Sequence, residues 1–251
     1  MANEHPPIRL RIRRQDSPSA SPYWQEFSVP YQPRMNVLAC FMEHAKNPVT
    51  SDGRATSPVV YDVACLEEVC GSCAMVINGT ARQGCTALVD SLEQPIVVEP
   101  LSKFPVVRDL AVDRSRMFDA LKRVKAWIPI DGTYDLGPGP RMPEAERERA
   151  YELSKCMTCG NCLEVCPQVN DRSEFIGAAA ISQVRLFNAH PTGKMNADER
   201  LDALMGEGGL NDCGNAQNCV RVCPKSIPLT TSIAAMYRAT TIEGLKHLFG
   251  K

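Results

Sequence analysis

Cysteine placement limits what this chain can fold into more than any other feature. Twelve cysteines occur in 251 residues, and eleven fall in three short groups. The first is C-L-E-E-V-C-G-S-C, giving Cys65, Cys70 and Cys73, with Cys85 shortly behind. The second is C-M-T-C-G-N-C-L-E-V-C-P, giving Cys156, Cys159, Cys162 and Cys166 ahead of Pro167. The third is C-G-N-A-Q-N-C-V-R-V-C-P, giving Cys213, Cys219 and Cys223 ahead of Pro224. Cys40 stands apart in an apolar helical pattern and reads as a buried core thiol. An even count would suit a disulfide framework, but such frameworks belong to small secreted domains. This chain is long, and its start, M-A-N-E-H-P-P, lacks the apolar region of a signal peptide. Metal is the expected occupant of the thiols.

The spacing says which metal group. C-x4-C-x2-C…C wraps one loop around a [2Fe–2S] cluster in plant-type ferredoxins, which assigns Cys65, Cys70, Cys73 and Cys85. Gly71 and Ser72 lack bulk there, so backbone N–H groups can approach the sulfides. A zinc staple is the plainer alternative, yet zinc sites use paired C-x2–4-C units. The second group matches C-x2-C-x2-C-x3-C-P at every position. The third is in register with it except that Ala216 occupies the second cysteine position. In two-cluster ferredoxins the fourth cysteine of each run ligates the other cluster. That crossover gives Cys156, Cys159, Cys162 and Cys223 to a [4Fe–4S] cluster. Cys166, Cys213 and Cys219 remain, and three thiolates imply a [3Fe–4S] cluster. The alternative is a [4Fe–4S] cluster with water or hydroxide on one iron. A [3Fe–4S] centre cycles between less negative charge states and so sits at higher potential, as the last acceptor of a series must.

Around these groups the pattern divides the chain in two. I-R-L-R-I-R-R from Ile8 alternates as a half-buried strand, with Arg9, Arg11 and Arg13 as a solvated face. Y-W-Q-E-F-S-V-P from Tyr23 is a returning strand, and Asn36 is placed to cap the helix V-L-A-C-F-M-E-H-A-K. Asn78-Gly79 turns a hairpin that returns Cys85 to the loop, and P-I-V-V-E-P from Pro95 is another strand. Residues 1–112 therefore read as a small sheet with one helix. From Asp113 the periodicity becomes helical, interrupted by an irregular connector, I-P-I-D-G-T-Y-D-L-G-P-G-P-R-M-P. Helical patterns resume after Pro143, from Glu174, from Asn196 and from Thr231, so residues 113–251 read as a helical domain without strands. Hydrophobic content of 44 %, charged content of 23 % and a net charge of -1 give no reason to expect nucleic acid as a partner. No apolar run reaches the ~20 residues of a membrane span. A cytosolic chain, or one tied to a membrane only through another protein, is expected.

A [2Fe–2S] domain followed by a helical two-cubane domain with one ligand missing resembles the iron–sulfur subunits of succinate:quinone oxidoreductase (succinate dehydrogenase, respiratory complex II) and of fumarate reductase. D-R-S-R-M-F, W-I-P-I-D-G-T-Y-D-L-G-P-G-P-R-M-P, Q-V-R-L-F-N-A-H-P and C-G-N-A-Q-N-C-V-R-V-C-P look most like the version in Bacillus-type Gram-positive bacteria. The resemblance covers nearly the whole chain. It implies an α+β fold, with an N-terminal plant-type ferredoxin-like (β-grasp) domain and a C-terminal α-helical two-cubane ferredoxin domain. It implies a partner flavoprotein whose FAD oxidises succinate, and single electrons running through [2Fe–2S], [4Fe–4S] and [3Fe–4S] to a quinone. It further implies a membrane-anchor cytochrome b subunit with two haems, menaquinone as acceptor, and a peripheral position on the cytoplasmic side of the cell membrane. The chain would serve the tricarboxylic acid cycle and the respiratory chain.

Some family features do not carry over. Ubiquinone-type members have tryptophan following the Cys-Pro of the second group and histidine after the first cysteine of the third. Here Gln168, Val169 and Asn170 follow Cys166-Pro167, and Gly214 follows Cys213, so only Pro167 remains as a quinone-proximal candidate. A turn explains that proline as well. His190, in N-A-H-P, invites a proton-relay role, but a histidine before proline at a helix end fits a cap or surface position better. The chain offers no nucleophile–base set and no Gly-rich nucleotide loop, so no catalytic residue is expected on it, and dicarboxylate chemistry would belong to the partner. The rival readings are a fumarate reductase subunit running the wire backwards, a subunit of a thiol-driven fumarate reductase, and a zinc-stapled interaction scaffold.

Overall fold

Strand β1 (Ile8–Arg14) buries every second side chain, and its inward row is Ile8, Leu10, Ile12 and then Arg14. Arg9 and Arg11 face solvent, as a period of two requires. A computed structural model describes residues 5–129 and 141–250, so most of the expected irregular connector lies outside the described residues. The chain divides into two units: Met1–Arg114 with Met157–Glu164, and Ser115–Cys156 with Val165–Lys251.

In the first unit β1 pairs antiparallel with β2 (Tyr23–Val29), Ile8 opposite Val29 and Arg14 opposite Tyr23. Helix α1 (Val37–Lys46) begins where foreseen, with the Asn36 side chain accepting the Ala39 N–H at 2.8 Å. β3 (Ala74–Ile77) and β4 (Thr80–Gln83) form the hairpin, with Asn78 and Gly79 both at positive φ, +46° and +75°. β5 (Ile96–Glu99) runs parallel to β1 and antiparallel to β3, giving the order β2-β1-β5-β3-β4. This mixed sheet over a single helix is a β-grasp arrangement. Its core joins Leu10, Ile12 and Phe27 of the sheet to Val37, Leu38 and Phe41 of α1, and Cys40 is fully buried among them. Burial pushes the Cys40 thiol up to about 12, as suits a core residue.

A second ribbon, β6 (Val106–Arg108) with β7 (Ala111–Val112), escapes the sequence pattern because strands of three and two residues carry no period. The turn between them presents Asp109 to Arg14. Both side chains are 0 % exposed, and Arg14 Nη2 donates to Asp109 Oδ2 at 2.7 Å while Nε donates to Oδ1 at 3.1 Å. Gln25, Thr56, Ser57 and Pro58 accept the remaining guanidinium bonds, and the N–H groups of Gln15 and Val60 donate to the carboxylate. The buried charges are paired and saturated, which is what makes them tolerable.

The other helices are α2 (Ser115–Arg123), α3 (Glu144–Ser154), α4 (Asn161–Glu164, on the segment belonging to the first unit), α5 (Gly177–Ala189), α6 (Ala197–Met205), α7 (Asn218–Arg221) and α8 (Leu229–Leu248). Among the described residues after Val112 there is no strand. α5 is the centre of the second unit, burying Ala178, Ala179, Ala180, Ile181 and Val184 against α3, α6 and α8. Its alanines let neighbouring backbones approach. It starts later than the apolar pattern from Glu174 because the Phe175 N–H donates to Ser173 Oγ and Gly177 has φ +84°. Arg200 of α6, 1 % exposed, donates to the carbonyls of Lys125, Trp127, Gly193 and Asn196, tying together the surrounding turns.

Candidate iron–sulfur centres

The first cysteine loop, between α1 and β3, is built to surround an anion. Leu66, Glu68 and Gly71 have φ of +63°, +57° and +74°, turning successive amides toward its interior. The N–H groups of Glu67, Val69 and Cys70 donate to Cys65 Sγ at 3.4, 3.3 and 3.3 Å. Ser72 Oγ lies 3.0 Å from Cys70 Sγ, and this hydrogen bond, with amide donation, brings that thiol down to about 6. Cys73 sits at the start of β3 and Cys85 just past β4, so the hairpin brings them together as expected. Burial, and then the neighbouring Cys73, push Cys85 up to about 12. Four thiols converging, with amides already aimed at sulfur, fit a [2Fe–2S] cluster, whose positive irons would relieve the crowding of thiolates. Asn36 completes the frame, its Nδ2 donating to Cys85 O at 2.8 Å.

Three residues of the first unit have no role assigned from the sequence. Arg114 donates to Gly71 O at 3.1 Å and Ser72 O at 2.6 Å, clamping the loop from behind. Gln83 accepts from Cys73 Sγ at 3.4 Å. Asn161, between Cys159 and Cys162, is 0 % exposed with neither side-chain polar atom hydrogen-bonded. Only the position of Asn161 inside a cysteine motif could have flagged it.

The segment 157–164, with Cys159 and Cys162, packs within the first unit. A Cβ on Gly71 would lie 2.6 Å from Met157 O and 3.0 Å from Cys159 Cβ. Glycine is therefore required twice at that position, by φ and by contact. Thr158 and Gly160 have φ of +52° and +94°, positive-φ turns like those of the first loop. The segment is anchored through Glu164, which accepts from Ser102 Oγ at 2.6 Å and Lys103 N at 3.0 Å. The buried, unpartnered amide of Asn161 fits a neighbouring group rich in acceptors, and cluster sulfides are such a group. In the second unit Cys156 follows α3, and Cys223 follows α7 with its sulfur accepting the Ile227 N–H at 3.4 Å.

Cys166, Cys213 and Cys219 line one small cavity of the second unit, together with Pro167, Gln168 and Ala216. Asn215 and Gln217 have φ of +50° and +59°, so the loop curls about Ala216 without any glycine at those positions. Asn218 Nδ2 ties it to the second group by donating to Val165 O at 3.0 Å. Cys219 is raised by burial first and then by Cys166 and Cys213, three thiols close enough to oppose one another's ionisation. That donor set, facing a methyl group, fits a cluster holding three irons. Gly214 is matched to Gln168: a Cβ at 214 would lie 2.6 Å from Gln168 Nε2, so the two departures from the ubiquinone pattern are packed against each other. Pro167 is a wall of the cavity. His190 ends α5, its Nδ1 accepting the N–H groups of Thr192 and Gly193 at 3.2 and 3.3 Å.

Comparison with known proteins finds iron–sulfur domains over the same two regions of the chain. A family model described as a 2Fe-2S iron-sulfur cluster binding domain matches residues 9–119, and one described as a 4Fe-4S dicluster domain matches residues 152–227. The chain is 65 % identical over 99 % of its length to the succinate dehydrogenase iron-sulfur subunit of Bacillus subtilis, covering 98 % of that protein. It is 28 % identical to the fumarate reductase iron-sulfur subunit of Wolinella succinogenes, over 92 % of this chain and 96 % of that one. A chain of the Mycobacterium smegmatis Sdh1 complex in the apo form superimposes with a TM-score of 0.76 at 25 % identity, covering 93 % of this chain and 95 % of that chain.

Proposed function

The chain belongs to the family of succinate dehydrogenase iron–sulfur subunits, and from that premise we propose the course of its electrons and the residues that guide them. Electrons enter from the FAD of a flavoprotein subunit and leave to menaquinone at a di-haem cytochrome b anchor. The ligand sets are Cys65, Cys70, Cys73 and Cys85 for [2Fe–2S], Cys156, Cys159, Cys162 and Cys223 for [4Fe–4S], and Cys166, Cys213 and Cys219 for [3Fe–4S]. Iron in these clusters changes valence by one electron at a time, which is the chemistry they supply. The protein's own part is to hold sulfur, aim amides and keep the carriers close.

One observation carries the reading: the contact between two cysteine loops at Gly71. With no side chain there, the two loops approach so closely that a Cβ at 71 would lie 2.6 Å from Met157 O and 3.0 Å from Cys159 Cβ. Ligands of the first and second carriers are thereby neighbours through packed atoms, as rapid electron exchange requires. At the third set, Ala216 supplies a methyl where a thiolate would add charge, which favours a high potential. Pro167, which lines that cavity, is the residue this reading places on the quinone's side.

Among the described residues no helix is long and apolar enough to cross a membrane. In this reading the separate anchor subunit holds the chain at the cytoplasmic face of the cell membrane. Succinate oxidation is favoured over fumarate reduction by the 65 % identity to a succinate dehydrogenase subunit, against 28 % for the fumarate reductase subunit. The test is isolation of the chain from membranes with its partners, followed by succinate-driven reduction of menaquinone and ubiquinone analogues. The reading expects bound FAD, two haems and preference for menaquinone. Absence of haem, or equal turnover with ubiquinone, would refute those parts of it.

A further inference from the structure

Gln83 faces Cys73 in a way that the loaded protein cannot keep. It ends β4 opposite Ala74, is 1 % exposed, and its Oε1 accepts the Cys73 S–H at 3.4 Å. Its Nε2 is buried without any hydrogen-bond partner. The residue is firmly placed. Gly84 N donates to Cys73 O at 3.0 Å, and Thr86 Oγ1 bridges Gln83 O, at 3.5 Å, and Glu68 Oε1, at 2.8 Å. A thiolate bound to iron has no proton to give, so carbonyl oxygen and sulfur would then oppose each other as two acceptors.

Turning the terminal amide by half a rotation exchanges Oε1 and Nε2 without changing the shape of the side chain. We propose that in the iron-loaded protein Gln83 adopts that orientation, donates Nε2–H to the Cys73 sulfur, and so raises the reduction potential of the [2Fe–2S] cluster. The exchange removes an orphaned buried donor and leaves a carbonyl, which is less costly to leave unpaired. A hydrogen bond to a ligand sulfur stabilises the more negative, reduced state more than the oxidised one. Gln83 is thus a positioning residue acting through Cys73, and the inference rests on Cys73 being a ligand of that cluster.

The test is an EPR-monitored redox titration of the purified complex carrying Gln83→Leu or Gln83→Glu, with the other two clusters as internal controls. Loss of the donor is expected to shift the [2Fe–2S] reduction equilibrium on the order of tenfold toward the oxidised form, 59 mV for a one-electron couple. The added charge of Gln83→Glu should shift it further, while the other midpoints stay. An unchanged [2Fe–2S] midpoint with the cluster retained would overturn the proposal. Should both variants lose the cluster, the native complex decides. With ¹⁵N in glutamine side chains, a hyperfine coupling in the reduced [2Fe–2S] signal supports the bond, and its absence overturns it. A native complex without any [2Fe–2S] signal would instead bring down the ligand assignment, and the proposal with it.

Discussion

Arg14 shows how a regular pattern can hide a special residue. The alternation that places Ile8, Leu10 and Ile12 inside also places Arg14 inside, yet a basic run suggests a solvated face, and nothing near it in sequence announces Asp109. The partner is distant and lies in a turn at φ +48°, so the pair emerges only once the fold is made. Asp109→Ala would leave the guanidinium buried and uncompensated, and a loss of about 3–5 kcal/mol is expected. Denaturant unfolding of the purified variant checks this; a loss under about 1 kcal/mol, typical of an exposed pair, would contradict it. Glycines make a second residue-scale comparison. Gly53 and Gly71 have φ of +83° and +74°, but a Cβ at 53 meets nothing within 4 Å. Gly53→Ala should cost only the left-handed backbone, about 1–2 kcal/mol. Gly71→Ala should add about 1–3 kcal/mol of overpacking and reduce [2Fe–2S] spin content. Equal melting shifts and intact spin in both variants would deny the loop contact.

At the scale of elements, the strands, the Asn36 cap and the Asn78-Gly79 hairpin were legible because each follows from local chemistry: period, capping and positive φ. The cysteine loops could be read from the sequence as proposed ligand lists but not as shapes. Leu66, Glu68, Thr158, Asn215 and Gln217 all take positive φ without being glycine, a choice imposed by the loop around its sulfurs rather than by the residue. Gln83, Arg114 and Asn161 were illegible for the same reason, since an amide or guanidinium near a cluster differs from any other only in where its hydrogens point. The assignment of Cys223 to the cluster of the second group is a statement about loops exchanging ligands. Cys223→Ser should therefore damage the [4Fe–4S] signal and spare [3Fe–4S], whereas Cys166→Ser should do the reverse. EPR of both variants measures it, and the opposite pairing would reverse the crossover.

For the whole molecule, the three carriers of different nuclearity proposed for this chain would make a graded series. In that proposal the grading depends on composition at each centre: four thiolates at the first two sets and three at the last. Ala216→Cys is expected to convert the last cluster to [4Fe–4S] and lower its potential, so that it holds the electron less often, by tenfold in the reduction equilibrium for each 59 mV, and quinone reduction slows. Unchanged turnover would show that electron delivery does not depend on that missing ligand. The residue that matters most here is the one whose side chain does nothing but leave room. The most direct measurement is the EPR spectrum of the fully oxidised complex, in which [2Fe–2S] and [4Fe–4S] centres are diamagnetic. A half-integer-spin signal from a three-iron centre, beside those of the anchor's ferric haems, is the result required by Cys166, Cys213 and Cys219 around Ala216; a fully iron-loaded oxidised complex showing no paramagnet other than haem would contradict it.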